Sequence, residues 1–329
     1  MRSTVAKAFV NRGIAAEQSS SFDEAIEAFS AVVRDFADLS LPEVQECVAT
    51  ALVNKGHLHG KLEESDKAIA AYDEAVRRFG DSDLPQLRLC VAICLGNKGS
   101  VLAPALPDDA RAAWDELVKR FIDDQAPEIW VQVAGTLVKK AALATFEGRS
   151  DLAIETCDKA VDRYGASEDS IVLQKVAHAL EMKAIAQNRT GLPDEALATC
   201  RTLVRRFGTL KGPRDLPVSW RSMGVETIAH QLRGDERAAL LAFRTLCDEL
   251  DDENPEMLHK LVWDTIDLVA CGASPGSFAD VLAPAAKRSD VLLPILAALR
   301  KLSGHPLRVP EEVSQVADDV IEQIRVRTP

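Results

Sequence analysis

The segment Asp66–Gly80 reads DKAIAAYDEAVRRFG, and two similar segments occur later in the chain. Residues 152–165 read LAIETCDKAVDRYG, and residues 195–208 read EALATCRTLVRRFG. Their alignment reveals a column with a period of 42 or 43 residues in which every member is alanine: Ala25, Ala68, Ala110, Ala153, Ala196 and Ala239. Self-similarity at a fixed period of this length predicts a repeat protein, in which each unit packs on its sequence neighbours.

Apolar columns at helical spacing follow the alanine column. In the second unit, Tyr72, Val76 and Phe79 come 4, 8 and 11 residues after Ala68, and these offsets trace one face of an α-helix. We name this helix B. Arginines in its last turn are expected to oppose the negative helix end: Arg78, Arg120, Arg163 and Arg206. Glycines that follow the last aromatic residue are expected to take the left-handed conformation: Gly80, Gly165 and Gly208.

A second helix, helix A, is predicted between successive B helices. A proline suited to its first turn follows the last aromatic residue of helix B by six positions: Pro42, Pro85, Pro127 and Pro213. A small residue recurs inside helix A, where it would let a neighbouring helix approach closely: Gly13, Gly56, Gly99, Ala141, Ala184 and Thr227. Convincing strand alternation is not found, so the pattern predicts an all-α fold.

The small residue of helix A, the alanine 12 residues later and the aromatic residue after it resemble the tetratricopeptide repeat. The resemblance covers about residues 3–270, although the unit is 43 residues here and usually 34 in the family. Kinesin light chain and bacterial members have similarly long units. The resemblance implies a right-handed superhelical solenoid of antiparallel helix pairs, with six repeats in residues 1–270. It also implies a concave face, lined mainly by the A helices, where partner peptides or helices dock.

The period fails at two places. The stretch LAPALPDD at residues 102–109 carries two prolines where the other units have their hairpin turn, which we interpret as a tolerated loop change or as a docking loop. The columns fade after residue 270. Three apolar segments at 278–287, 291–302 and 311–326 predict that residues 271–329 form atypical capping helices, and self-association through this end is the functional alternative.

Composition narrows the classes of partner. The net charge is −12, from 51 acidic and 39 basic residues, which disfavours nucleic acid and anionic membranes. Seven cysteines, an odd number, predict reduced thiols. Neither a signal-peptide pattern nor a run of about 20 apolar residues is found. The chain is therefore expected to be soluble and cytoplasmic, and its preference for Ala and Arg favours a bacterial source.

The candidate chemical groups favour structural roles. Cys90 and Cys94 share a helical face but no second cysteine or histidine pair follows, so buried thiols are the preferred interpretation. His57 and His59 are two residues apart on a helix and point in different directions. Because neither a nucleophile–histidine–acid set nor a glycine-rich phosphate loop is found, we predict no catalytic residues, no metal and no cofactor.

Family resemblance places the groove-lining residues three before and one after the small residue of helix A. At these positions the chain lacks the Lys, Asn and Arg set with which some members hold an acidic tail. The groove is instead mildly apolar with polar spots, which suits a partner peptide or amphipathic helix. The candidate partner-binding residues are Val53, Asn54, His57, Asn97, Ser100 and Lys139.

A basic column precedes the small residue: Arg12, Lys55, Lys98, Lys140 and Lys183. It is either a positive ladder for an acidic peptide or a structural column whose stems pack between helices, and the structural interpretation is preferred.

The first hypothesis for function is a non-catalytic scaffold or adaptor that binds a protein partner in its groove. The alternatives are a regulatory or sensor subunit of a bacterial signalling or defence complex that controls a separate effector enzyme, and an enzyme with an unrecognised site.

Overall fold

The computed structural model describes residues 2–211 and 216–328, and in these residues it contains sixteen α-helices, no strand and a 3-10 helix at Asp290–Leu292. The α-helices are α1 (Arg2–Gln18), α2 (Phe22–Phe36), α3 (Pro42–Lys61), α4 (Ser65–Phe79), α5 (Pro85–Leu102), α6 (Pro107–Phe121), α7 (Pro127–Phe146), α8 (Ser150–Tyr164), α9 (Ser170–Arg189), α10 (Pro193–Phe207), α11 (Val218–Leu232), α12 (Glu236–Asp248), α13 (Pro255–Ala270), α14 (Pro275–Ala286), α15 (Leu293–Leu302) and α16 (Glu311–Arg327). Over the same residues, none of these helices combines the length and the apolar character that a membrane span requires.

The predicted alternation of A and B helices is confirmed. The odd-numbered helices α1 to α11 are A helices and the even-numbered helices α2 to α12 are B helices. Pro42, Pro85 and Pro127 begin A helices as predicted, whereas Pro213 lies outside the described residues. The B helices α2, α4, α6, α8 and α10 all end at the predicted aromatic column.

The chain divides into two compact units, Met1–Leu143 (unit 1) and Ala144–Pro329 (unit 2). In unit 1, α1–α2, α3–α4 and α5–α6 form helix pairs, and the A helices α1, α3 and α5 pack side by side. In unit 2, α9–α10 and α11–α12 form such pairs, and α9, α11 and α13 pack side by side. The fold is an all-α solenoid of helix pairs, as the repeat pattern predicts.

Left-handed residues occur in the turns from helix A to helix B. Ser20 and Glu63 have φ of 59°, and Gly148, Gly191 and Gly234 occupy the matching position of later units with φ between 72° and 75°. The turn of the third unit differs, as its prolines indicate. Leu106, the residue before α6, has φ of −133°. The left-handed conformation is therefore a property of a three-residue turn that the third unit has lost.

The prediction that Gly80, Gly165 and Gly208 are left-handed is wrong. Gly80 has φ of −58° and its N–H still donates to the Val76 carbonyl, so the right-handed helix runs on through it. Gly165 and Gly208 behave in the same way. Ala37 and Ile122 take the same right-handed conformation at the equivalent position of other units, so this position does not require glycine.

The last-turn arginines contact the preceding B helix as well as lying at the end of their own. Arg206 donates to the Gly165 carbonyl at 2.6 Å, and Arg120 donates to the Gly80 carbonyl at 3.2 Å. Arg78 makes a similar contact to the Ala37 carbonyl at 3.4 Å. The final carbonyls of a helix lack partners within it and carry partial negative charge, so each of these guanidinium groups caps the neighbouring repeat.

Replacing Arg206 by methionine tests this cap. The change keeps an apolar stem but leaves the Gly165 carbonyl without its charged donor, so we expect the free energy of unfolding to fall by about 1 kcal/mol. Urea denaturation followed by circular dichroism measures the change. Arg205→Met at the exposed neighbouring position is the matched control and should stay within about 0.5 kcal/mol. Equal losses in the two variants would contradict the capping role.

The helices after residue 270 confirm the three predicted segments. Segment 278–287 overlaps α14 up to Ala286, segment 291–302 corresponds to α15 and the 3-10 helix before it, and segment 311–326 corresponds to α16. In the repeat pattern α14 behaves like a B helix, because Phe243 of α12 packs against its Phe278 with ring centroids 5.2 Å apart. The proposed boundary at residue 270 stays a prediction.

Candidate partner-binding surface

All six candidate residues lie in unit 1, on A helices. Val53, Asn54 and His57 are on α3, Asn97 and Ser100 are on α5, and Lys139 is on α7. Val53, Asn54, Asn97 and Ser100 are partly buried, whereas His57 and Lys139 are exposed. We name the surface formed by Val53, His57, Ser100 and Lys139 the A-helix face of unit 1.

Two of the candidates contact each other across neighbouring A helices. Lys139 Nζ donates to Ser100 Oγ at 2.8 Å, although the two residues are 39 positions apart. Ser100 Oγ in turn donates to the Gly96 carbonyl within its own helix at 2.9 Å. The pair holds α5 and α7 together at the surface and leaves an ammonium group at its edge.

His57 belongs to a second polar group, which joins α1 and α3. Its Nε2 lies 3.9 Å from Glu17 Oε1, and the same carboxylate oxygen accepts a hydrogen bond from Lys61 Nζ at 2.9 Å. The His57 side chain remains 49% exposed, so it can still contact a partner. One polar group therefore joins α1 to α3, the helix that carries Val53, and the other joins α5 to α7.

Asn97 is committed to the helix layer behind this face. Its side chain hydrogen-bonds Tyr72 of α4, a residue that is only 1% exposed and whose pKa burial raises to about 12. Asn97 thus connects α5 to the preceding B helix, because its side-chain amide is hydrogen-bonded to a buried core residue. Asn54 occupies the same register position one unit earlier.

The basic column forms a ladder of ion pairs with the B helices. Three lysines of the column pair with an aspartate 25 residues earlier in the sequence. Lys98 Nζ lies 2.5 Å from Asp73 Oδ1, and Lys183 Nζ lies 2.5 Å from Asp158 Oδ1. Lys140 pairs with Asp115 in the same way. Lys55 has Ser30 at this spacing. These contacts favour the structural interpretation for the three paired lysines, because each ammonium group already neutralises an aspartate of the preceding B helix.

The cysteines are free thiols, and six of the seven are buried. Burial raises the pKa of Cys90 to about 11 and that of Cys157 to about 12, which suppresses the reactive thiolate. Within the part of the chain that the structure describes, no group of three or more His, Cys, Asp or Glu side chains is arranged to hold a metal ion.

Unit 2 contains a site that the sequence did not single out. A pocket of about 480 Å³ opens between α9, α11 and α13, with Ile185, Val225, Ile228 and Leu232 among its walls. Asn188 lies at this pocket, and it is only 7% exposed. One sequence signal could have found it: Asn188 and Gln231 stand in a column that is Gly60 and Ala103 in earlier units.

The comparisons with known proteins fit this geometry. The tetratricopeptide repeat model matches residues 49–81, which span the end of α3 and all of α4. A crystal structure of a tetratricopeptide repeat protein from Parabacteroides merdae ATCC 43184 is similar over 99% of this chain and 100% of that chain, with a TM-score of 0.56 and 13% identity. Residues 49–81 thus match a tetratricopeptide repeat, and the chain shares its fold with a tetratricopeptide repeat protein.

A second solved structure shares the fold of this chain. It is the Rap protein complexed with Competence and Sporulation Factor, similar over 99% of this chain and 87% of that chain, with a TM-score of 0.50 and 13% identity. At this identity the likeness concerns the fold. None of the curated protein sequences matches the chain.

Proposed function

We propose that this protein is a non-catalytic scaffold or adaptor, and that a partner peptide or amphipathic helix docks on the A-helix face of unit 1. The observation that carries the proposal is the partly buried Val53 on α3 together with two polar groups on the A helices, the His57–Glu17 group of α1 and α3 and the Ser100–Lys139 pair of α5 and α7. An apolar patch with polar groups around it suits the apolar stripe and the polar flanks of an amphipathic helix.

Two further observations support this function. The repeat type is commonly used for protein binding, and the Rap protein, which shares the fold, is solved in complex with Competence and Sporulation Factor. The proposal extends to a cytoplasmic location in a bacterium, supported by seven free cysteines. It also includes self-association through the helices after residue 270 as a secondary mode of contact.

The test is affinity purification of tagged full-length protein from its native host. We expect Val53→Glu and His57→Glu each to lower recovery of the partner by at least about tenfold, because each places a carboxylate in the proposed contact and a buried unpaired charge costs several kcal/mol. Quantitative mass spectrometry measures the recovery, and thermal unfolding followed by circular dichroism confirms that the variants fold.

Ala70→Glu is the matched control, since it adds the same charge at an exposed position of α4. It should leave partner recovery unchanged. If a partner is retained equally by Val53→Glu, His57→Glu and the control, the A-helix face of unit 1 is not its docking surface.

A further inference from the structure

The last helix of unit 2 carries two faces of different kinds. α16 packs against α13 and α15. Four buried residues form this packed face: Ala317, Val320, Ile321 and Ile324. Beside it, four exposed residues form a stripe at the spacing of a single helix face, which we name the α16 stripe: Val316, Asp319, Gln323 and Val326. Val316 is 48% exposed and Val326 is 74% exposed, so both ends of the stripe present apolar side chains to solvent.

An apolar groove of about 410 Å³ runs along the α16 stripe. Three of the four stripe residues form its edge on α16, and α13, the 3-10 helix and the start of α15 supply most of the remaining lining. Val262 and Trp263 of α13 are only partly buried, and Val291 of the 3-10 helix is 56% exposed. Exposed apolar side chains beside an apolar groove are typical of an interaction surface, because covering them together removes apolar area from water.

The order of residues in the α16 stripe is symmetric. Its successive spacings are 3, 4 and 3 residues, with a valine at each end and a carboxylate and an amide between them. An antiparallel copy of α16 centred on residue 321, the midpoint of the stripe, places Val326 of the second copy opposite Val316. It also places the Gln323 amide of the second copy opposite Asp319, where the amide N–H donates to the carboxylate. Each of these pairs occurs twice, as in an isologous contact between identical chains.

The charges of α16 match the same antiparallel order. Acidic residues occupy the first turn of the helix and basic residues the last turn: Glu311, Glu312, Arg325 and Arg327. Antiparallel pairing brings the acidic end of each helix to the basic end of the other, which is the favourable arrangement. Arg325 also pairs with Glu322 at 3.5 Å, which weakens the repulsion between the two copies of Glu322 near the midpoint. Arg327 pairs with Asp267 of α13 but remains 35% exposed to a second chain.

We propose that the α16 stripe is a homodimer interface, on which a second copy of this chain docks with its α16 antiparallel and its Val326 in the groove beside Val316. The inference rests on the self-association included in the proposed function, for which it names the surface and the occupant. It does not involve the A-helix face of unit 1, because α16 belongs to unit 2. An isologous contact uses the same surface on both copies, so the assembly closes at two chains.

Sedimentation velocity of the full chain over a range of concentrations tests the dimer. We expect reversible dimers to form at or below about 100 μM. Val316→Glu and Val326→Glu should each raise the dissociation constant at least about tenfold, because each variant places a carboxylate against an apolar side chain twice in the dimer. Circular dichroism confirms that the variants fold. A wild-type chain that stays monomeric at about 100 μM overturns the proposal.

Val5→Glu is the matched control, because it introduces the same charge at a valine of α1 that is 42% exposed. This variant should dimerise with the dissociation constant of the wild-type chain. Equal dimerisation of the wild-type chain, Val316→Glu and Val326→Glu would mean that the chains associate elsewhere, and would refute the α16 stripe as the interface.

Cysteine cross-linking tests the antiparallel order. A mixture of Val316→Cys and Val326→Cys chains, one of them tagged, should give at least about fivefold more disulfide-linked dimer under mild oxidation than either chain alone. In the proposed dimer the two copies of residue 316 lie ten residues apart along the helices, or about 15 Å, which is too far for a disulfide. The wild-type chain shows the background, since six of its seven cysteines are buried. Equal cross-linking of a single variant and the mixture contradicts the antiparallel order.

The same sedimentation measurement on Val53→Glu separates this interface from the docking surface in unit 1. An unchanged dissociation constant is expected, because Val53 lies in unit 1. If the chain dimerises through α16 while Val53→Glu and His57→Glu retain the cellular partner, only the docking surface of unit 1 is refuted. If the wild-type chain is monomeric while both variants lose the partner, only the self-association is refuted.

Discussion

Replacing Glu181 by leucine is expected to lower the free energy of unfolding by about 3–5 kcal/mol. Glu181 on α9 pairs with Arg221 on α11, and their side chains are only 5% and 9% exposed. Glu181 lies three residues before Ala184, a position at which family resemblance expects a groove-lining residue, but its side chain is buried. The substitution leaves the Arg221 guanidinium in the interior without its carboxylate, and the cost of that uncompensated charge produces the loss. Urea denaturation followed by circular dichroism measures it.

The double variant Glu181→Leu with Arg221→Met is the decisive control. It removes both charges, so most of the lost stability should return, because well-packed apolar side chains often replace a buried ion pair without cost. As a comparison at the surface, Asp318→Leu breaks the Asp318–Lys301 pair, in which the two side chains are 55% and 50% exposed. This variant should lower the free energy of unfolding by less than about 1 kcal/mol. A double variant as unstable as Glu181→Leu would show that the effect comes from packing.

Replacing Gly56 by alanine is expected to lower the free energy of unfolding by about 2–3 kcal/mol, against the usual benefit of alanine in a helix. A Cβ on Gly56 would lie 2.5 Å from the ring of Tyr72, which is fully buried and tied to Asn97. The ring cannot move away without disturbing the next unit. Gly13 and Gly99 face Phe29 and Trp114 in the same manner.

Gly60→Ala in the same helix is the matched control for Gly56→Ala. Its Cβ would meet only Val101 Cγ2, at the ordinary distance of 3.6 Å, so the variant should gain about 0.5–1 kcal/mol from helix propensity. The two substitutions are expected to change the free energy of unfolding in opposite directions. Chemical denaturation of both variants measures these changes. Destabilisation of similar size in both would mean that the Tyr72 contact is not the cause.

A double-mutant cycle identifies the partner in this contact. Ala184 and Cys200 occupy the positions of Gly56 and Tyr72 three units later, and both are buried in one cluster. Gly56→Ala should therefore cost at least about 1 kcal/mol less in a Tyr72→Cys background, where the smaller side chain leaves room for the methyl group. An equal cost in the two backgrounds would exclude steric coupling between the two positions.

Much of the fold follows from the sequence because its signals are local. The alanine and aromatic columns repeat at helical spacing, so they predict each B helix together with the aromatic residue at which it ends, as α4 and α10 show. The period of about 43 residues predicts the succession of helix pairs, because a single pair cannot bury its apolar face alone. The left-handed conformation predicted for Gly80, Gly165 and Gly208 was wrong. A glycine that follows a helix can adopt a left-handed or a right-handed conformation, and the sequence alone does not show which hydrogen bond its N–H makes.

The candidate site was less accessible to sequence reasoning. Helical spacing placed Val53 and His57 on one helix, but it could not show that Asn97 turns to Tyr72 or that Ser100 accepts from Lys139. Those outcomes depend on the angle and distance at which successive helices pack. The role of the basic column was left open for the same reason, and the aspartates 25 residues earlier favour one of its two interpretations.

The sequence by itself determined the helix pairs, their period and the small residues that face large ones, because these depend on contacts between residues close in the chain. Only the tertiary structure decided where the polar side chains go. Three features join helices that are not consecutive in the chain, or helix ends that lie about one repeat apart. They are the Arg206 cap on Gly165, the Glu181–Arg221 pair and the pocket at Asn188. The pocket forms where α9, α11 and α13 lie side by side, and the way these helices pack is not given by the repeat period.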